Sequence, residues 1–149
     1  MTSVLTHGDL AFGDVVHTAV HFDDLDAMGI LHNSRYAVLV ERAVSKWWAD
    51  RGISFAGGQP TSPDAFNAVR EYAITFHRPV SSVGDIAVHF WLEKLGTTSA
   101  DYRFRVTSLD GGAVYAEGRR VNIRLDPATM RPAPWTDHAR GIAAALVKP

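Results

Sequence analysis

The sequence predicts an α+β fold in which one long central helix is followed by an antiparallel sheet that wraps around it. Three features carry that reading. One stretch of helical periodicity comes early, from Tyr36 to Trp47. All but one of the strand-like segments follow it, and the turns between the later ones are too short for parallel crossovers.

Length and composition set the bounds. The 149 residues suit a single domain spanning 1–149. Apolar residues make up 46% and the net charge is −1, which argues against disorder and against nucleic acid as a partner. Cysteine is absent, so disulfides, thiolate metal sites and a thiol nucleophile are excluded. No stretch is long and apolar enough to insert in a membrane, and a cytoplasmic protein is expected.

Taken in order, residues 1–14 mix Gly, Asp and Thr without periodicity and read as a loose leader. The β-branched run "VVHTAVHF", Val15 to Phe22, reads as a first strand. After an acidic turn, Tyr36, Leu39, Val40, Ala43, Val44 and Trp47 fall at helical spacing, with Asn33 or Ser34 placed as N-cap and Gly52 as the stop. Such a helix has about 16 residues and is about 24 Å long. Only Arg35, Glu41, Arg42, Ser45 and Lys46 interrupt its apolar surface, so it is expected to be buried on most sides.

Residues 52–65, rich in Gly and Pro, read as an irregular loop. The period then becomes two. Tyr72, Ile74 and Phe76, then Val88, Phe90 and Leu92, then Tyr102, Phe104 and Val106 each alternate with more polar neighbours, as half-buried strands do. In the last strand Val114 and Ala116 are out of phase with Val121, Ile123 and Leu125, which predicts a bulge near Gly118. Residues 137–149 read as a C-terminal helix and tail.

The chemistry concentrates in "HFDDLDAMGILHN", His21 to Asn33. Asp23 and Asp24 suit turn formation and capping ahead of a helix. Asp26 is followed by Ala27, Met28, Gly29, Ile30 and Leu31, an apolar run able to keep water from a carboxylate. Gly29 would let the backbone approach a ligand. The coming helix start offers unpaired amides that can polarise a carbonyl. Carboxylate and amide together suit acyl transfer to water.

The stretch "VHFDDLDAMGILHNSRYAVLVERA" resembles the signature of the 4-hydroxybenzoyl-CoA thioesterase-like group of hotdog-fold proteins. "REYAITFHRPVSSVGDIAVHFWLEKLGTTSADYRFRV" and "AEGRRVNIRLDPATMRPAPW" are similar to that group's later strands, so the likeness runs from about Val15 to Trp135. The resemblance implies an acyl-CoA thioesterase without cofactor, a homodimer or homotetramer. It makes Asp26 the nucleophile or general base and puts the carbonyl-polarising amide near His32, with Gly29, Asn33, Tyr36 and Ser99 as substrate-binding positions. Asn33 stands where close relatives tend to carry histidine, and Met28 where they carry a small residue. A carrier-protein thioesterase would use the same Asp26, whereas a non-catalytic acyl-CoA binding module would not need it. A hydratase is less well matched, since the turn has no evident Asp-His pair.

Other side chains are read more plainly. His17 and His21, four apart on a strand, would stand about 13 Å from each other, too far to share a metal, and no metal site is expected. Trp47 and Trp48 suit packing. Ser99 with Arg103, Arg105, Arg119, Arg120 and Arg124 could meet the phosphates of coenzyme A, or form a solvated strand face paired with Glu93, Asp101 and Glu117.

Overall fold

The computed structural model describes residues 3–149. Its elements are β1 (Asp14–Val20), α1 (Arg35–Ala49), the short hairpin strands β2 (Phe55–Ala56) and β3 (Gln59–Pro60), β4 (Asn67–Phe76), β5 (Gly84–Leu95), β6 (Ser99–Thr107), β7 (Val114–Arg124) and α2 (Asp137–Ala143). Five strands form one antiparallel sheet in the order β1-β5-β6-β7-β4.

The register gives the sheet two distinct ends. Val20 pairs with Gly84, Ala87 with Thr107, Thr107 with Val114, and Phe76 with Ala116, which defines the Phe76 end. Leu95 pairs with Ala100, Ser99 with Ile123, and Asn67 with Arg124, which defines the Asn67 end. Helix α1 starts beside the first, where Tyr36 meets Phe76, and ends near the second, where Trp48 meets Tyr102.

One face of the sheet carries Val88, Phe90, Leu92, Tyr102, Phe104, Val106 and Ala116, and α1 packs on it through Tyr36, Leu39, Val40, Ala43, Val44 and Trp47. Alternation selects these strand residues and the 3.6 period selects the helix residues, so each element contributes one apolar side to a common core. The helix is less enclosed than its composition suggests. Glu41, Arg42, Ser45 and Lys46 remain exposed, because a single five-stranded sheet covers only one side of it.

Two further expectations change. Strand β5 is buried on both faces from Ile86 to Leu92, because residues 3–13 cross its outer side rather than trailing loosely. Phe12 packs edge-on to Trp91 at 5.0 Å and accepts a hydrogen bond from His89 Nε2 through its carbonyl at 3.0 Å, and the Leu5 amide donates to the Leu109 carbonyl. The bulge expected near Gly118 falls three residues earlier in β7, where Tyr115 is left unpaired between Val114 and Ala116 against β6; a second one lies in β4 between Val69 and Glu71, and β7 runs in register past Gly118 itself. Gly118 is needed for space: a Cβ there would overlap the Ala73 carbonyl oxygen and the Phe104 ring.

Candidate active site

After β1 the chain makes one 3-10 turn, Phe22–Asp24, and Leu25 then bridges antiparallel to Leu31. The loop between is closed by the Asp26 amide donating to the Ile30 carbonyl at 2.8 Å and the Gly29 amide donating to the Asp26 carbonyl at 3.0 Å. Gly29 has φ of 76°, and a Cβ there would meet nothing within 4 Å, so the turn conformation itself is what asks for glycine.

Asp26 is half-buried at the head of this loop. Its Oδ1 accepts the Met28 amide at 2.8 Å and the Ile30 amide at 3.3 Å, while Oδ2 has no partner among the described residues. The apolar run beside it does not shield it within this one chain, since Met28 is 78% and Phe22 is 85% exposed.

Asp24 is more deeply engaged than a cap. It is buried, accepts Arg35 Nε at 2.7 Å and the His21 amide at 2.8 Å, and its carbonyl accepts the His32 amide at 2.9 Å. Burial alone would raise its pKa, but the His21 amide and the Arg35 guanidinium outweigh that and hold the carboxyl below the usual carboxylate range.

The carbonyl-polarising amide expected near His32 is not that of His32 itself if its N–H must be free, because the Asp24 carbonyl already takes it. The next amide, Asn33, has no acceptor among the described residues. His32 instead organises the helix start: its Nδ1 accepts the Ser34 amide at 3.0 Å and lies 2.8 Å from Ser34 Oγ. Ser34, at the N-cap position, makes no side-chain cap of its own.

The other expected positions divide. Gly29, Asn33 and Tyr36 stay with Asp26 at the Phe76 end, although Tyr36 is buried with its ring edge-on to Phe76 at 5.0 Å, and burial followed by Tyr115 raises its pKa. Ser99 lies at the Asn67 end, where its carbonyl accepts the Gly96 amide and Trp135 Nε1. Most of the arginine group is paired with acids, Arg103 with Asp101, Arg105 with Glu117, and Arg119 with Glu71 and Asp101. Arg124 donates to the Pro134 carbonyl. Donor atoms of His21, Asp23 and Asp24 lie within 4.8 Å of one another, but both Asp24 oxygens already hold protein donors.

Arg120 is the residue the sequence misplaced. It pairs with Tyr102 across β6 and β7, on the core face, and lies buried beside Asn122 in a cavity of about 270 Å³ at the Asn67 end. The strand phase held the signal, since Ala116 points inward and Arg120 and Asn122 follow it at even spacing.

Residues 20–146 match the family model described as the thioesterase-like superfamily, and the chain belongs to that superfamily, a class of thioester hydrolases. Solved structures agree on the fold. The PA5185 protein of Pseudomonas aeruginosa strain PAO1 is 22% identical, with a TM-score of 0.79 over 92% of this chain and 93% of that one. A thioesterase of Thermus thermophilus solved with coenzyme A and zinc is 24% identical, with a TM-score of 0.72 over 91% and 95%. A DHNA-CoA thioesterase of Staphylococcus aureus is 14% identical, with a TM-score of 0.69 over 87% of each chain. Comparison with curated protein sequences gave no match. Among the described residues no helix is long and apolar enough to cross a membrane.

Proposed function

We propose that the protein is an acyl-CoA thioesterase in which Asp26 acts on the thioester carbonyl, as nucleophile or as general base for water. The observation that carries this reading is the pairing of a half-buried carboxylate, held by two backbone amides with Oδ2 uncommitted, with an amide lacking an acceptor at the start of α1. Attack by Oδ2 would form a mixed anhydride and release coenzyme A as its thiolate; base catalysis would instead take a proton from water. Either way the Asn33 amide and the positive end of the α1 dipole would stabilise the oxygen that gains charge.

A homodimer belongs to this reading. Strand β4 is a ten-residue sheet edge whose residues are nearly all exposed, Val69 and Phe76 among them. An unpaired edge of that length favours addition of another strand. Antiparallel pairing of β4 with its copy would bring the Phe76 end of one chain, with its Asp26 turn, beside the Asn67 end of the other. It would also extend the sheet around the exposed side of α1, giving the wrapped hotdog arrangement.

The test is release of free coenzyme A from short, long and aromatic acyl-CoAs by wild type and Asp26→Asn. The asparagine oxygen can still accept the Met28 and Ile30 amides, so the turn should persist while turnover collapses. Full activity in the variant would remove Asp26 from the mechanism. A carrier-protein substrate would leave the whole coenzyme A panel unturned while acyl-carrier protein is hydrolysed.

A further inference from the structure

The cavity at the Asn67 end is walled by Val44 and Trp48 of α1, Tyr102 of β6, Arg120 and Asn122 of β7, and Ala143 of α2. Most of its polar groups satisfy one another. Asn122 Oδ1 accepts Arg120 Nε at 3.0 Å, Asn122 Nδ2 donates to Asn67 Oδ1 at 2.7 Å, and Asn67 Nδ2 donates to the Asp64 carbonyl at 2.9 Å. Arg120 Nη2 donates to Glu41 at 3.0 Å, and Trp48 Nε1 donates to the Tyr102 hydroxyl at 2.8 Å.

Two donors are left over. Arg120 Nη1 and the Tyr102 hydroxyl proton have no acceptor among the described residues, whereas the amide oxygens of Asn67 and Asn122 are both taken. Burial pushes the Tyr102 pKa up to about 12, so the phenol keeps its proton at neutral pH. Both donors are open to a ligand group that supplies an acceptor. Glu41 is 58% exposed on its side chain, so it can turn to solvent if a ligand competes for the guanidinium.

We propose that this cavity receives the far end of the acyl group and that Arg120 and Tyr102 select an oxygen acceptor there, ketone or carboxylate, over a plain alkyl chain. The assignment rests on the thioesterase reading and its β4-paired dimer, in which the cavity of one chain adjoins the Asp26 turn of the other. A volume of about 270 Å³ lies just below the roughly 300–1,000 Å³ of ligand pockets, so the acyl group is short.

The test compares pentanoyl-CoA, 4-oxopentanoyl-CoA and glutaryl-CoA with wild type, Arg120→Met and Glu41→Gln, with thermal melting of each protein as a folding control. Binding of the corresponding amide analogues, in which NH replaces the thioester sulfur, is measured alongside. Wild type should favour at least one acceptor-bearing acyl group by about tenfold or more in kcat/KM, and Arg120→Met should bring that ratio close to one. Glu41→Gln, a change at an exposed side chain, should raise the glutaryl preference. It keeps the proposal open to failure should Arg120→Met not fold. A wild type without preference, or an Arg120→Met protein that retains it, overturns the proposal. Turnover without preference rejects the acyl selection alone; preference in binding without turnover of any thioester rejects the thioesterase reading alone.

Discussion

The two ends of the sheet handle polar groups in opposite ways. At the Phe76 end backbone does most of the work: amides of Met28 and Ile30 hold Asp26, the Asp24 carbonyl takes the His32 amide, and the apolar side chains of Phe22 and Met28 face outward. At the Asn67 end side chains do it, with Arg120, Asn122, Asn67, Trp48 and Tyr102 bonded to one another inside a cavity. A backbone-built site depends on turn geometry and tolerates changes of side chain around it. A side-chain-built site depends on the identity of each member, and there specificity can vary while the chemistry stays fixed.

The sharpest way to break this comparison is Asp26→Asn, which keeps the backbone cradle and removes the charge. Turnover should fall by about 10² to 10⁴ with little change in melting temperature. Asp24→Ala should do the reverse in kind, lowering stability by about 3 kcal/mol because it strands Arg35 and the His21 amide. That figure is the low end of the usual cost, since Arg35 is one-third exposed and can hydrate, and chemical denaturation measures it. At the other end, Trp48→Phe removes the donor to Tyr102 together with part of the ring that packs on Trp47, and should cost about 1–2 kcal/mol, with any kinetic effect confined to acyl preference.

The smallest effect is in pH. Burial lowers the His89 pKa more than the Phe12 carbonyl raises it, so the folded value lies below the unfolded one. The stability this supplies is complete above about pH 6.5 and declines as pH falls through the lower folded value. Asp24 and Asp64 also have lowered pKa values, where burial is outweighed by His21 and Arg35 in one case and by Ser62 and Thr136 in the other. Their contribution is complete above about pH 3.9 and is lost below it. Urea unfolding measured from pH 7 to pH 3 should therefore weaken in two windows, and His89→Gln should flatten only the upper one.

Much of the fold was legible because it rests on periods that survive in one dimension. Tyr36, Leu39, Val40, Ala43, Val44 and Trp47 fix the buried face of α1, and Val88, Phe90 and Leu92 fix the core face of β5. The Asp26 turn was legible for a similar reason, since an acid, a glycine and a helix start define it locally. Position within the helix start was not: His32 and Asn33 are adjacent, and only the Asp24 carbonyl decides which amide is left over. Arg120 was hidden by its company, since Arg119 and Arg120 read alike in sequence but alternate strand positions send them to opposite faces. The double burial of β5 escaped for a third reason, that the cover comes from residues 3–13, which have no period to announce a contact.

That cover has a practical side. Phe12 shields His89 and Trp91, and Lys148 sits 4.9 Å over the Phe12 ring, so the segments around Phe12 and Lys148 clasp one another across β5. A shortened chain beginning at Asp14 would lay open an indole, an imidazole and part of a strand that is otherwise dry on both sides, and it should aggregate on storage even with its Asp26 turn intact. Bulky fusions close to the clasp should lower solubility for the same reason.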